Sequence, residues 1–280
     1  MTRVKVVTDS SSGLPKDLEK QHNITVVPIP IQIGNGSYKE NVDLPVDEFY
    51  RLLDGETMPK TSSPSPGDFV ETYSRLAGTA REIISIHVTA KGSGTCQSAQ
   101  VAADSVSGKV KVHVYDSNTV SMGTGFLSIE AAKAALEGLT IDQIRERLDG
   151  LRDKIRAFVA LPTLKYLQRS GRLSHGQAIF GSLLSIKPVI EVRDGLLEVV
   201  DRVRSYPKAL ERVAELAAGA VSKLPSRVAV MHGNSYDEAV KFADELKKRI
   251  NITQLVIGEV GASLAVHGGP GMIGVVLLPE

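Results

Sequence analysis

From Arg3 to Leu278 the chain alternates between short β-branched runs and longer stretches of helical spacing. That alternation restricts it to an α/β architecture with a largely parallel sheet. In the first half Arg3–Val7, Thr25–Ile33, Glu82–Val88 and Lys111–Tyr115 read as strands. Helical patterns lie between them at Pro15–His22, Pro45–Leu53, Pro66–Leu76, Thr95–Asp104 and Ser121–Leu136. The second half opens on Thr140–Ile155, whose Thr140-x-x-Gln143 start is a capping-box signature. It continues with the apolar run Ala157–Leu161, helical patterns at Thr163–Gln168 and Ser174–Leu184, and a hairpin of Val189–Arg193 and Leu196–Arg202 turned by Asp194-Gly195. A strand Arg227–Met231, a helix opened by a second capping box, Ser235-x-x-Glu238, and strands at Gln254–Gly258 and Met272–Leu278 complete the pattern. The hairpin marks a change of organisation, so we expect two α/β domains, 1–155 with a largely parallel sheet and 156–280 with a mixed one.

Composition narrows the function classes. The formal net charge of the 280 residues is +1, and no basic stripe with interleaved aromatics appears, which argues against nucleic acid as a partner. The opening MTRVKVVTDS is too short and polar for a signal peptide, and no apolar run approaches the roughly 20 residues of a membrane span. A lone cysteine, Cys96, cannot form an intramolecular disulfide, so the expected compartment is the cytoplasm. The absence of Trp and the wealth of Val, Ile, Leu and Ala suit a close α/β core, and equally a pocket lined with alkyl groups.

Five segments rich in hydroxyls and glycine carry the chemistry: Thr8–Gly13, Thr61–Ser65, Lys91–Thr95, Asp116–Thr119 and His267–Gly271. Four of them follow a candidate strand or open a helix. In an open α/β sheet ligands bind outside the carboxyl ends of the strands, so these segments are expected to cluster at one edge. The Gly-Ser-Gly around Ser93 is neither a G-x-S-x-G nucleophile elbow nor a phosphate-binding P-loop, and Gln97 breaks a G-x-G-x-x-G reading. The six histidines lack H-E-x-x-H spacing, and one cysteine makes no thiolate cluster, so no metal site is expected. What remains is a set of neutral donors with one histidine, able to hold a carboxylate or a phosphate. Each member has a plainer role open to it. Ser93 and Thr61 could be helix caps or turn formers, His267 a packed core histidine, and Asp9 and Asp116 the acceptors of Asx-turns. Arg169, Arg172, Arg202 and Arg204 could be solvated surface charges or contacts to a phosphate or an acidic partner.

Taken in order, Thr8-Asp9-Ser10-Ser11-Ser12-Gly13-Leu14, Thr61-Ser62-Ser63-Pro64-Ser65, Ser93-Gly94-Thr95-Cys96-Gln97-Ser98-Ala99, Asp116-Ser117, Arg169–Ser174, Lys187-Pro188 and His267–Gly271 resemble the DegV family over essentially the whole chain. The resemblance implies two α/β domains with one long-chain fatty acid in a tunnel between them. It further implies service as the binding subunit of a bacterial fatty acid kinase, presenting the carboxylate to a separate ATP-dependent kinase that forms the acyl phosphate. By this resemblance Thr61, Ser62, Ser93 and His267 hold the carboxylate, while Arg169, Arg172 and Arg202 lie near the opening to meet the acyl phosphate or the kinase. No cofactor and no catalytic residue are implied, and lipid exchange would bring only transient contact with a membrane surface. Ser63, Cys96 and Gly92 depart from the residues usual in the family and would alter pocket shape. Expected tunnel walls are Phe158, Leu161, Phe180, Leu183, Leu184, Ile186, Val189 and Ile190, which would equally make an ordinary core. Two other readings stay open: a carrier of some amphipathic anion with no kinase partner, and a serine hydrolase acting on acyl esters through Ser93 and His267.

Overall fold

The computed structural model describes residues 2–53, 58–172 and 186–280. The strands β1 (Thr2–Asp9), β2 (Ile24–Val27), β6 (Ala80–His87) and β7 (Lys111–Asp116) form a sheet in the order β2-β1-β6-β7, every pairing parallel. β1 shows why a parallel sheet suits this sequence. Val4 and Val6 face one side and Val7 the other, and all three are buried, so both faces need cover. Helices α3 (Pro66–Ala77) and α4 (Thr95–Ser105) cover the Val7 face.

On the opposite face lies α5 (Met122–Leu136), in which twelve of fifteen residues are buried, all but Glu130, Lys133 and Leu136. Phe126, Leu127 and Ile129 belong to a cluster that runs without a break from Val4 and Val6 to Val276 and Leu278 in the second sheet. One helix thus joins the cores of the two domains. Glu130 on α5 also accepts from Arg227 Nη1 at 2.6 Å across that junction. Burial alone would raise the Glu130 carboxyl, but Arg227 and Lys133 overcome it and hold the group below the usual carboxylate range. Helix α6 (Ile141–Arg152) packs on α5 and opens with the expected capping box, Thr140 Oγ1 accepting from Gln143 N at 3.4 Å and Gln143 Oε1 from Thr140 N at 2.9 Å.

The second sheet has six strands in the order β10-β9-β8-β13-β11-β12: β8 (Arg156–Ala160), β9 (Lys187–Arg193), β10 (Leu196–Val203), β11 (Ser226–His232), β12 (Ile252–Glu259) and β13 (Ile273–Pro279). Only β11 and β12 pair in parallel, so the sheet is mixed. Helices α8 (Tyr206–Val221) and α9 (Tyr236–Lys247) cover one face, packing on Phe158, Val189, Val230 and Val275. The other face turns toward the first domain. Among the described residues no helix is long and apolar enough to cross a membrane.

Two local readings need correction. The run Thr25–Ile33 is not one strand: β2 ends at Val27, and β3 (Pro30–Ile33) belongs to a separate antiparallel sheet with β4 (Gly36–Lys39) and β5 (Lys60–Thr61). Pro28 and Pro30 lack the N–H that a central ladder needs, and Ile29 N donates instead to Ser10 Oγ at 2.9 Å. The Ser235 capping box does not form, because Ser235 Oγ donates to Gly233 O at 3.1 Å and its N–H is given to His232 Nδ1 at 3.3 Å. The predicted helix Ser174–Leu184 lies outside the described residues. The Asp194-Gly195 hairpin turn is as expected, with φ of 47° and 73°, the positive pair of a type I′ turn.

Candidate functional site

Sequence order brings the polar loops to one place because β1, β6 and β7 run parallel, so their carboxyl ends share an edge of the sheet. After β1 comes a single 3₁₀ turn, Ser10–Ser12; after β6, residues 88–94; after β7, residues 117–121. Asp9 anchors the first of these. Its Oδ1 accepts from Ser11 N at 3.1 Å and from Ser11 Oγ, while Oδ2 accepts from Val88 N at 3.2 Å. Asp116 ties the other two together, accepting from Asn118 N at 2.8 Å in an Asx-turn and from Ala90 N at 3.2 Å. Both aspartates are therefore loop anchors.

Behind the edge, a chain of hydrogen bonds runs from Tyr73 Oη to Ser85 Oγ (2.8 Å), His87 Nε2 (2.7 Å) and, through Nδ1, Asp9 Oδ2 (2.9 Å). Every member is buried, with Ser85, His87 and Asp9 at 0% exposure. The Asp–His–Ser order is that of a hydrolase triad, yet this serine meets only protein, and a proton on His87 Nδ1 lets every donor in the chain find an acceptor. The network stiffens the loop edge.

The edge faces the open side of the second sheet across a cavity of about 470 Å³, within the range of ligand pockets. Hydroxyls of Thr61, Ser62, Ser63 and Ser93 line it on one side, and apolar side chains including Val159, Leu161, Ile190, Leu197 and Met272 on the other. β5 carries Thr61 beside Ile31. That placement overturns its reading as the cap of the Pro66 helix: Ser65 is the cap, in a box with Asp68. Thr61 is half-buried and Ser62 exposed, and among the described residues neither hydroxyl bonds to another protein group. Ser93 also sits one residue away from its expected place. The cap position of α4 is Gly94, and Ser93 Oγ accepts from Thr95 N at 3.3 Å while sharing a proton with Thr95 Oγ1 at 2.8 Å. A 3.4 Å contact between Ser63 Oγ and Ser93 Oγ joins the two hydroxyl loops.

His267 stands in the last turn of α10 (Ala262–Gly268), an element that the glycine-rich sequence around it concealed. Its ring lines the cavity while Nδ1 is buried without a partner among the described residues. Burial, reinforced by the charge of Arg172, pushes its pKa down to about 4, so the ring is neutral at pH 7. A proton on Nδ1 would be a buried unpaired donor, so it belongs on Nε2. The start of α10 is fixed by Glu40, whose buried carboxyl accepts from Ser263 N at 2.8 Å, Ser263 Oγ at 3.0 Å and Ser10 Oγ. Burial raises that carboxyl above its usual range, although all three donors pull the other way.

The structure thus gathers Thr61, Ser62, Ser93, His267 and Arg172 on one cavity. Arg169 and Arg202 are exposed and outside its described wall, Arg169 Nη1 lying 3.8 Å from Met58 Sδ and Arg202 pairing with Pro188 on the β9–β10 ladder. Lys91, which sequence reasoning placed in a polar segment without a role, and Ser263, which it passed over, also line the cavity. Lys91 Nζ donates to Asp194 O at 2.6 Å, tying a first-domain loop to the hairpin turn of the second. At that crossing Gly195 comes so close to Thr89 Oγ1 that no side chain would fit.

Of the expected tunnel walls, Phe158, Leu161 and Ile190 contribute to the cavity, whereas Ile186 and Val189 do not, and Phe180, Leu183 and Leu184 lie outside the described residues. Strand periodicity explains the correction. On β9 Ile190 belongs to a cluster on the cavity side while Val189 packs beneath α8; on β8 Ala157 and Val159 face the cavity in the same way, and Phe158 borders it although its side chain joins the cluster beneath α8.

A DegV domain-containing protein of Caldanaerobacter subterraneus is 35% identical over 276 residues, 98% of each chain. The crystal structure of DegV from Bacillus subtilis, a fatty acid binding protein, matches with a TM-score of 0.91 at 32% identity and covers 100% of both chains. A DegV family protein of Thermus thermophilus, solved for its fatty acid binding, matches with a TM-score of 0.92 at 30% identity over 99% of this chain and 100% of that one. The profile of the DegV family, described as uncharacterised, spans residues 3–280. With its full length matched by that profile and by these relatives, the chain belongs to the DegV family.

Proposed function

We propose that this protein binds one long-chain fatty acid in the cavity between its domains and presents the carboxylate to a separate ATP-dependent fatty acid kinase in the cytoplasm. The observation that carries the reading is the division of the cavity wall, apolar on the second sheet and hydroxyl-rich on the loop edge. An alkyl chain gains about 0.8 kcal/mol for each methylene taken from water, before ordering costs. The carboxylate loses its hydration there and needs donors in exchange. Among the described residues nothing takes up the hydroxyl protons of Thr61 and Ser62, and His267 offers an Nε2–H. Ser93 is held beside them by Thr95 and Ser63. The division of labour follows the fold, with residues 1–155 supplying most of the carboxylate end and 156–280 most of the acyl wall.

Arg172 is the arginine on the wall, and Arg169 and Arg202 are exposed where a kinase or an acyl phosphate could be met. A binding role fits the site better than ester hydrolysis. Ser93 Oγ is bonded to Thr95 and Ser63 rather than to an imidazole, and the fold's Asp–His pair is buried against Ser85.

Native mass spectrometry of delipidated protein given hexadecanoic acid tests the binding: one acid per chain is expected, and protein that takes up none refutes it. With a fatty acid kinase and ATP added, acyl phosphate is expected on the bound acid. Arg202→Ala is expected to lower that yield while leaving acid uptake intact. Failure of any such kinase to bind or act would leave a carrier without a kinase partner.

A further inference from the structure

Gly274 is the second residue of β13, a strand paired on both sides inside the six-stranded sheet. Ile273, Val275 and Leu277 face the helices α8 and α9, so Gly274 and Val276 face the cavity. Across that face two rows of residues stand in register. One is Val192, Ala157, Val276, Ala229 and Val256; the other is Ile190, Val159, Gly274, Met231 and Gly258.

A glycine inside a buried strand weakens it and calls for a reason. The backbone supplies none, since Gly274 is not among the residues of positive φ. Crowding supplies none either: a Cβ there would meet Phe158 O at 3.5 Å and Val159 Cβ at 3.7 Å, ordinary contacts. The neighbouring Met231 does not fill the space. Its thioether lies over the other flanking glycine, where a Cβ at Gly258 would be 3.0 Å from Met231 Cε and 3.2 Å from Sδ. What the missing side chain leaves clear is a notch in the cavity floor, bounded by Val159 and Met231.

We propose that Gly274 is a specificity-determining residue, the notch above it receiving the alkyl chain of the bound acid, so that side-chain size at this position sets how long a chain the cavity accepts. This rests on the reading of the cavity as a fatty-acid site. Each ligand methylene displaced by a carbon at position 274 costs about fourfold in affinity.

The test is competition between dodecanoic and hexadecanoic acid for delipidated protein, read by native mass spectrometry, for wild type, Gly274→Ala and Gly274→Leu. Relative to wild type, the ratio of bound hexadecanoic to dodecanoic acid is expected to fall roughly fourfold in the alanine variant and by roughly two orders of magnitude in the leucine variant. Uptake of dodecanoic acid alone should survive in both. The alanine variant keeps the test decisive should leucine not fold, because its added methyl makes only ordinary contacts. An unchanged ratio in a folded variant, or equal weakening of both acids, overturns the proposal. Wild-type protein that takes up neither acid overturns the fatty-acid reading itself, and the inference with it.

Discussion

Replacing Thr61 by valine removes one hydroxyl and preserves the shape of the side chain. Among the described residues that hydroxyl bonds to no other protein group, so the variant should melt within about 0.5 kcal/mol of wild type. Bound carboxylate would lose one charge-assisted hydrogen bond, about 1.5–3 kcal/mol, which is about 10- to 150-fold in Kd. Ser93→Ala should weaken binding by a similar factor but behave differently without ligand. Ser93 Oγ accepts from Thr95 N at 3.3 Å and is bonded to Thr95 Oγ1 at 2.8 Å, so its removal should also cost about 1 kcal/mol of folding stability. The double variant should bind more weakly than either single one, with the two effects coupled because both hydroxyls serve one carboxylate. Displacement of a fluorescent fatty acid measures the affinities, and thermal melts of delipidated protein measure the stabilities. A double variant that binds within twofold of wild type refutes the carboxylate role. So does a Thr61→Val that melts several degrees lower and binds normally, since its hydroxyl would then be structural.

Glu130→Ala strands Arg227, a tenth exposed, without its 2.6 Å partner, and urea unfolding should show a loss of about 3–5 kcal/mol. The Glu130 carboxyl is held below its unfolded value, so its contribution is complete above the usual carboxylate range and disappears as pH falls through the lower folded value. The stability gap between wild type and Glu130→Gln should accordingly narrow on acidification, and a gap that widens contradicts the assignment. Burial, with Asp116 and Asp9 adding to it, pushes the Cys96 thiol up to about 12. Iodoacetamide at pH 8 should then alkylate native protein roughly three orders of magnitude more slowly than unfolded protein, and comparable rates would refute that environment.

The α/β order was legible because burial on both faces of β1 and β6 leaves long β-branched runs, and because Thr140 and Gln143 spell out a cap that forms. The small sheet of β3, β4 and β5 was not legible. Its strands are two to four residues long, and Pro28 looks like part of a strand when only the apolar residues around it are counted. Hydroxyl and histidine donors could be read from residue type and loop position. Cavity walls such as Val159 and Val192 could not, because alternate residues of β8 and β9 look alike in sequence and only register decides which face meets the first domain. The arginines carry the weakest sequence signal of all, since charge alone distinguishes none of Arg169, Arg172 and Arg202, and geometry puts only Arg172 on the described wall.

Strand β13 follows both β8 and β11 in sequence and lies between them in the sheet. On the ribosome, β8 and β11 therefore emerge with facing edges that have nothing to pair with until residues 273–279 appear. Through that interval α5 also lacks one of its walls, since Val276 and Leu278 complete the cluster around it. Such open edges and apolar faces invite association with other chains, and pairing over more than a hundred residues is slow to form. Synthesis of this protein thus carries a waiting period of exposure that only β13 can end, and a chaperone able to shield β8 and α5 would act in that window.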